Sequence, residues 1–172
     1  MENKEINPET LKKLQLKIMQ DVSASAIIPL MRIGDQLGIF KKLSEIGEVS
    51  SNELAKATAL DERYLREWLY AVSAAGFATY NAEIKKFSLT PEQVAVFAED
   101  DGPASMIGAY DMLTGAIHNE GQVKEAFKTG GGVDYKDSCP ICFQGTARFF
   151  KPSYEKNLVT SWLPKLKILK NE

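Results

Sequence analysis

Apolar residues recur at helical spacing along most of this chain. Leu11, Leu14, Ile18 and Val22 fall on one face of a helix. Ahead of them, Asn7-Pro8-Glu9 is a start signal. Asparagine caps, proline takes the first turn where its missing N–H costs nothing, and glutamate complements the positive end of the helix dipole. Pro29, inside the apolar stretch AIIPLM, is expected to kink or break this helix. Ile33, Leu37, Phe40 and Leu43 then carry the pattern on to Gly47. This N-terminal part is too apolar to stand alone in water and must cover a core or a partner chain.

The stretch SSNELAKATALDERYLREWL, residues 50–69, reads as two helices joined by a tight turn. Ser50 and Glu53 form a capping box. Leu54, Ala55 and Ala59 are expected to face inward, and Asp61 caps the second helix. Along that helix Tyr64, Leu65, Trp68, Leu69 and Val72 make a wide apolar stripe, and Gly76 supplies a left-handed stop. FATY and KFSL, separated by NAEIK, read as a short hairpin. Thr90-Pro91-Glu92-Gln93 starts another helix, with cap, first-turn proline and capping-box glutamine. The order is that of a winged helix spanning about Gly34 to Leu89.

Beyond Asp101 the helical pattern returns. Met106, Ala109, Met112, Leu113 and Ile117 are placed near one face, GQVKEAFKTGGG is a short helix stopped by glycines, and Asn157–Trp162 is helical until Pro164 breaks it. The predicted fold is mainly α: a winged helix-turn-helix of three helices plus a β-hairpin, with extra N-terminal and C-terminal helices. Residues 1–33 are assigned to N-terminal dimerisation helices, 34–100 to the winged-helix domain and 101–172 to a helical linker and lid.

A helix-turn-helix raises the question of DNA. Over 172 residues, 21 basic and 23 acidic side chains give a net charge of -2. Between residues 50 and 90, five basic and five acidic side chains cancel. Phosphate neutralisation supplies most non-specific affinity for DNA, and this balance offers little of it. A DNA-binding regulator is the alternative reading; it would have to use Arg63 and Arg66 on the second helix with Lys85 and Lys86 on the wing. The N-terminus lacks an apolar leader and no run approaches a membrane span, so a cytoplasmic protein is expected.

The segments LMRIGDQLGIFKKL, LDERYLREWL, LTPEQVAVFAEDD, GGGVDY and SWLPKL occur in a recognisable order. Together they resemble the N-terminal region of bacterial S-adenosylmethionine-dependent class I methyltransferases, in which a winged-helix domain precedes a Rossmann-like catalytic domain. The resemblance covers nearly the whole chain. It implies that the winged helix serves mainly in dimerisation and that the following helices help cover the substrate pocket, so that the helix-turn-helix packs rather than reads. A homodimer is the expected assembly, with a catalytic domain or a small-molecule methyl acceptor as further partners; nucleic acid and membrane are not expected. S-adenosylmethionine is the cofactor implied for the full-length family. The strand, acidic glycine-rich loop and helix that would hold it are not found before Glu172. Gly130-Gly131-Gly132 follows a helix rather than a strand. This chain alone is therefore expected to be inactive and to hold no cofactor.

No nucleophile, base and orienter can be assembled. The one histidine, His118, lies at a predicted helix end, where its ring can satisfy terminal carbonyls. Tyr110, Asp111, Met112 and His118 sit in the helix that the resemblance places near the substrate, and Phe149 and Phe150 are a second pair of pocket candidates. Packing is the simpler role for the aromatic and methionine side chains. Trp162, Leu163 and Leu166 add to an apolar C-terminal surface. Cys139 and Cys142 form a lone CxxC in an apparent Gly/Asp/Ser-rich connection. Without a second pair they do not make a structural zinc site, and two free thiols are expected. A third role, an interaction module holding a catalytic partner through its C-terminal helices, also fits the pattern.

Overall fold

The computed structural model describes residues 5–168, with side chains to Leu166; Met1–Lys4 and Leu169–Glu172, the outer ends of the first and last sequence-defined segments, lie outside the described residues. Helix α1 runs over Pro8–Gln36. Asn7 caps it, its side chain accepting from the Thr10 amide at 3.0 Å. The helix continues through Pro29, where a break was the alternative expected from sequence. Proline deprives the Ser25 carbonyl of its donor, but Ser25 lies on an exposed stretch, where water can replace it. The interruption comes later. Gly38, at φ +66, separates α1 from α2 (Ile39–Ile46), so Ile33 and Phe40 belong to different helices.

Helices α3 (Ser51–Thr58) and α4 (Glu62–Ala74) form the helix-turn-helix. Both halves of the Ser50–Glu53 capping box are made. Asp61 caps α4 by accepting from the Tyr64 amide at 3.2 Å. Ala59 turns outward in a left-handed conformation instead of facing the core. Tyr64 is 76% exposed, so the buried stripe of α4 is Leu65, Trp68, Leu69 and Val72. Gly76 closes α4 in a Schellman turn, its amide bonding the Ser73 carbonyl while the Phe77 amide bonds that of Val72.

Strands β1 (Thr79–Asn81) and β2 (Lys86–Ser88) pair antiparallel, with Tyr80 opposite Phe87. Val49 adds a bridge to Phe87 through both backbone bonds, which ties the wing to the loop before α3. Helix α5 (Pro91–Phe97) follows with its own complete capping box. The core lies among these elements. Phe40 packs edge-on to Trp68 at 5.0 Å and stacks on Phe97 at 5.3 Å. The Trp68 indole N–H donates to the Leu30 carbonyl at 2.8 Å, joining α4 to α1. Gly34 is the close-approach point: a Cβ there would lie 2.7 Å from Phe40 Cε2 and nearer still to the Trp68 ring.

The C-terminal part is a second helical layer. Helix α6 (Gly108–His118) and helix α8 (Pro140–Asn157) are the most extensively packed helix pair, and α7 (Glu120–Thr129) lies between them in sequence. The seam of α6 and α8 is made of missing side chains. A Cβ at Gly108 would lie 2.7 Å from the Phe149 amide, one at Gly115 would overlap the Cys142 backbone, and one at Gly145 would overlap Met112. The buried face of α6 is thus its glycine face, and Met106, Leu113 and Ile117 are exposed. Helix α8 is much longer than the sequence indicates. It begins at the cysteine pair, passes Pro152, and after a π-helical turn at Leu158–Trp162 continues into α9 (Leu163–Ile168). Pro164 therefore sits in the first turn of α9, where proline is tolerated, and does not end the helix.

Two glycine substitutions separate packing from backbone effects. Gly145→Ala must push α6 and α8 apart and should destabilise by about 1–3 kcal/mol. Gly121→Ala, on α7 with open space around it, should stabilise by about 0.4–1 kcal/mol through the unfolded chain. Urea unfolding of both variants checks the contrast; equal effects would refute the glycine seam.

Candidate functional site

The polar face of the helix-turn-helix is occupied with its own charges. Arg66 pairs with Glu62 at 3.0 Å, and Glu62 also accepts from the Ser51 hydroxyl at 2.6 Å. Lys86, on the wing, lies 3.6 Å from Glu53. The Ser50 backbone amide and hydroxyl, with Lys86, hold the Glu53 carboxyl below its ordinary range, so it is ionised at neutral pH. Two of the four basic residues a DNA reader needs are therefore neutralised within the fold. Arg63 is exposed on α4, and Lys85 sits at the hairpin tip with φ +54. These two remain beside Asp61, Glu67 and Glu83, and a phosphate surface is not assembled.

The apolar surface is far larger. Every residue of α1 from Pro8 to Ala26 is exposed, a helical arm roughly 28 Å long at 1.5 Å per residue. Leu11, Leu14, Ile18, Met19 and Val22 on it are between 44% and 63% exposed. A second apolar groove of about 620 Å³ runs between α6 and α7, lined by Leu113, Ile117, Val123 and Phe127, with Phe127 88% exposed. Helix α7 has no buried residue. A third exposed face follows α8 and α9, where Phe150, Tyr154 and Trp162 stack edge to edge or tilted and Leu163 and Leu166 continue the strip.

Between these surfaces lies an ion cluster that the sequence reading did not find. Arg148 of α8 makes two hydrogen bonds to the Asp35 carboxylate of α1, at 2.5 and 2.7 Å. It also donates to Asp100, which Lys41 of α2 meets from the other side. Asp111 of α6 lies 3.5 Å from Arg148 and accepts from Arg32 Nε at 2.7 Å. Burial opposes ionisation of Asp100, but the hydrogen bonds and charges of Lys41 and Arg148 outweigh it and hold this carboxyl below its ordinary value. The Asp35 hydrogen bonds, followed against burial by those of Asp100, keep Arg148 firmly protonated. A signal existed in the sequence only as scattered charges, because the partners are up to 113 residues apart.

The six pocket candidates do not converge on one cavity. Tyr110 lines a groove of about 570 Å³ between α1 and α6, with Ser23, Ile27, Phe77 and Leu113; burial raises its phenol pKa. Asp111 is bound into the ion cluster, and Met112 lies against Gly145 on the α6–α8 seam. His118 is exposed, its Nδ1 donating to the Thr114 carbonyl at 2.9 Å in the Nδ1–H tautomer. Phe149 and Phe150 pack edge-on at 5.0 Å on α8. Among the described residues, no group of three or more His, Cys, Asp or Glu is placed to hold a metal, and no helix is long and apolar enough to cross a membrane.

The fold has relatives. Residues 24–99 match the family model described as the Rv2258c-like winged HTH domain. Most of the chain is similar in fold to part of the mitomycin 7-O-methyltransferase MmcR, at 14% identity and a TM-score of 0.62, covering 86% of this chain and 46% of that one. It is similar also to CalO1, a methyltransferase in calicheamicin biosynthesis solved in a form with SAH bound, at 19% identity and a TM-score of 0.55, covering 88% and 44%. The dimethyltransferase RosA from Streptomyces davawensis, which acts on N,N-8-amino-8-demethyl-D-riboflavin by its description, matches at 19% identity and a TM-score of 0.50, covering 88% and 45%. This chain thus spans less than half the length of these structural relatives. No curated protein matches the sequence.

The ion cluster is testable apart from any function. Arg148→Met leaves Asp35 and Asp100 partly buried without their partner and should destabilise by roughly 2–4 kcal/mol. The folded-state pKa of Asp100 is lowered, so its contribution is complete above the ordinary carboxylate pKa and is lost as pH falls through the lowered value. Urea unfolding from pH 7 down to pH 3 should therefore show the two proteins converging at the acid end; a constant difference would exclude the cluster as its source.

Proposed function

We propose, from a chain whose residues 24–99 are a winged helix-turn-helix domain of the Rv2258c-like family, that this protein is the dimerisation and substrate-covering part of an S-adenosylmethionine-dependent methyltransferase. The observation that carries the reading is the exposed apolar arm of α1. A helix with no buried residue over its first five turns is marginal in water. The reason is physical: Leu11, Leu14, Ile18, Met19 and Val22 on an otherwise capped and regular helix require a cover.

Magnitudes favour a broader interface than the arm alone. Removing the remaining exposed surface of Leu11, Leu14, Ile18, Met19 and Val22 contributes roughly 1 kcal/mol each, or about 10 kcal/mol for a symmetric pair. Association costs about 4–15 kcal/mol in lost freedom. The arms come close to break-even, so the α6–α7 groove or the α8–α9 strip has to join them, either against the second copy or against a catalytic domain. The groove beside Tyr110, open at the side and lined by Phe77 and Leu113, is the place where this part could cover a small methyl acceptor.

The described residues do not themselves fit S-adenosylmethionine. Gly130, Gly131 and Gly132 are all exposed and follow α7, and the one sheet among the described residues is the two-stranded wing. A backbone cradle after a parallel strand is missing there. In this reading the activity would belong to a Rossmann-like domain that this part serves.

Sedimentation velocity between about 5 and 200 μM tests the dimer, a range set by the near balance of burial and association costs. We expect reversible dimerisation, lost in Leu14→Glu plus Ile18→Glu because two charges would have to be desolvated in the contact. Both positions are exposed in the protomer, so its folding should be unaffected. A monomer across the whole range would overturn the reading. A parallel titration with duplex DNA at low salt should show no binding that Arg63→Ala plus Arg66→Ala abolishes; such binding would favour a regulator.

A further inference from the structure

The structure moves Cys139 and Cys142 out of the irregular connection in which the sequence placed them. Cys139 is the N-cap of α8, Pro140 its first residue and Cys142 the third position of its first turn. The Cys142 amide donates to the Cys139 carbonyl at 2.9 Å. An i to i+3 bond of this kind closes a turn whose ends lie within about 7 Å between Cα atoms. Disulfides need about 4.4–6.8 Å. The backbone is thus already folded into a shape that can carry a bridge, and Pro140 restricts the turn between the two thiols. Both residues are free and half-buried, so each is partly reachable from solvent.

We propose that Cys139 and Cys142 are a dithiol that closes reversibly into an intramolecular disulfide under a low-molecular-weight disulfide oxidant. One thiolate attacks the oxidant, forming a mixed disulfide and releasing one small thiol. The other thiolate attacks the protein sulfur of that mixed disulfide, forming the Cys139–Cys142 bond and releasing the second small thiol. The protein loses two electrons and two protons, and the oxidant is reduced to two thiols. Two features keep the turn in place during the exchange. The Cys139 amide donates to Asn119 Oδ1 at 2.8 Å, and the Cys142 backbone lies so close to Gly115 that α6 leaves no room for a side chain. Asn119 is the junction of α6 and α7, so the thiol pair sits where that junction meets the start of α8.

The test is to equilibrate the protein in glutathione buffers of rising oxidised fraction, trap free thiols with a maleimide, and weigh the intact chain. The expected result is conversion of the monomeric chain from two trapped thiols to none, with the loss of two hydrogens, following a two-electron curve and reversed by excess reduced glutathione. Cys142→Ser should instead stop at one glutathione adduct on Cys139. Persistent single or double adducts in the unsubstituted protein, intermolecular disulfides, or no conversion in fully oxidised buffer would each overturn the proposal.

Discussion

Arg148 ties the second helical layer to the first at their polar boundary, beside the core contacts that Ile107 and Tyr110 make. Its guanidinium grips Asp35 on α1 with a two-point contact and reaches Asp100 in the segment after α5, while Asp111 of α6 turns between it and Arg32. A planar donor with several fixed N–H groups suits this role; a lysine could not hold two carboxylates in one plane. The glycine seam of α6 and α8 then lets those two helices approach backbone to backbone, which places Arg148 within reach of the winged helix at all.

This arrangement spends the polar groups inside the protomer and leaves apolar ones outside. Arg66 pairs with Glu62 and Lys86 with Glu53 on the winged helix, Arg32, Arg148 and three aspartates pair at the layer boundary, and the arm of α1, the α6–α7 groove and the aromatic strip of α8 remain exposed. A protein that reads nucleic acid presents the reverse economy, with free basic groups on one face. Burial of apolar surface against protein is the use that this distribution supports.

The winged helix was legible in the sequence because its signals are local. Asn7, Ser50 with Glu53, Asp61, and Thr90 with Gln93 each announce a helix within four residues, and all four caps form. In the second layer α6 and α7 were legible, but α8 and the packing were not, for two physical reasons. Its longest helix, α8, carries Pro140, Gly145 and Pro152, residues that argue against a helix by propensity and are accommodated here as a first-turn residue, a packing contact and a buried interior proline. Its packing face on α6 is made of glycines, so apolar periodicity grouped the half-buried Ala109 and Met112 with Leu113 and Ile117 of α6 and Met106 ahead of it, which are exposed. The ion cluster depends on residues far apart in the chain, and only the fold brings them together. Of the pocket candidates, Tyr110 lines an open groove, Asp111 is held in the ion cluster between the layers, and the Met112 backbone lies on the α6–α8 seam.

The central claim is that the first five turns of α1 are ordered by a partner rather than by their own protomer. Amide hydrogen exchange over residues 8–26, measured at several protein concentrations, tests it most directly. The account predicts protection of this segment that rises with concentration while the winged-helix core, from Phe40 to Phe97, exchanges equally slowly throughout. Exchange of residues 8–26 at the rate of a free peptide at every concentration would contradict it.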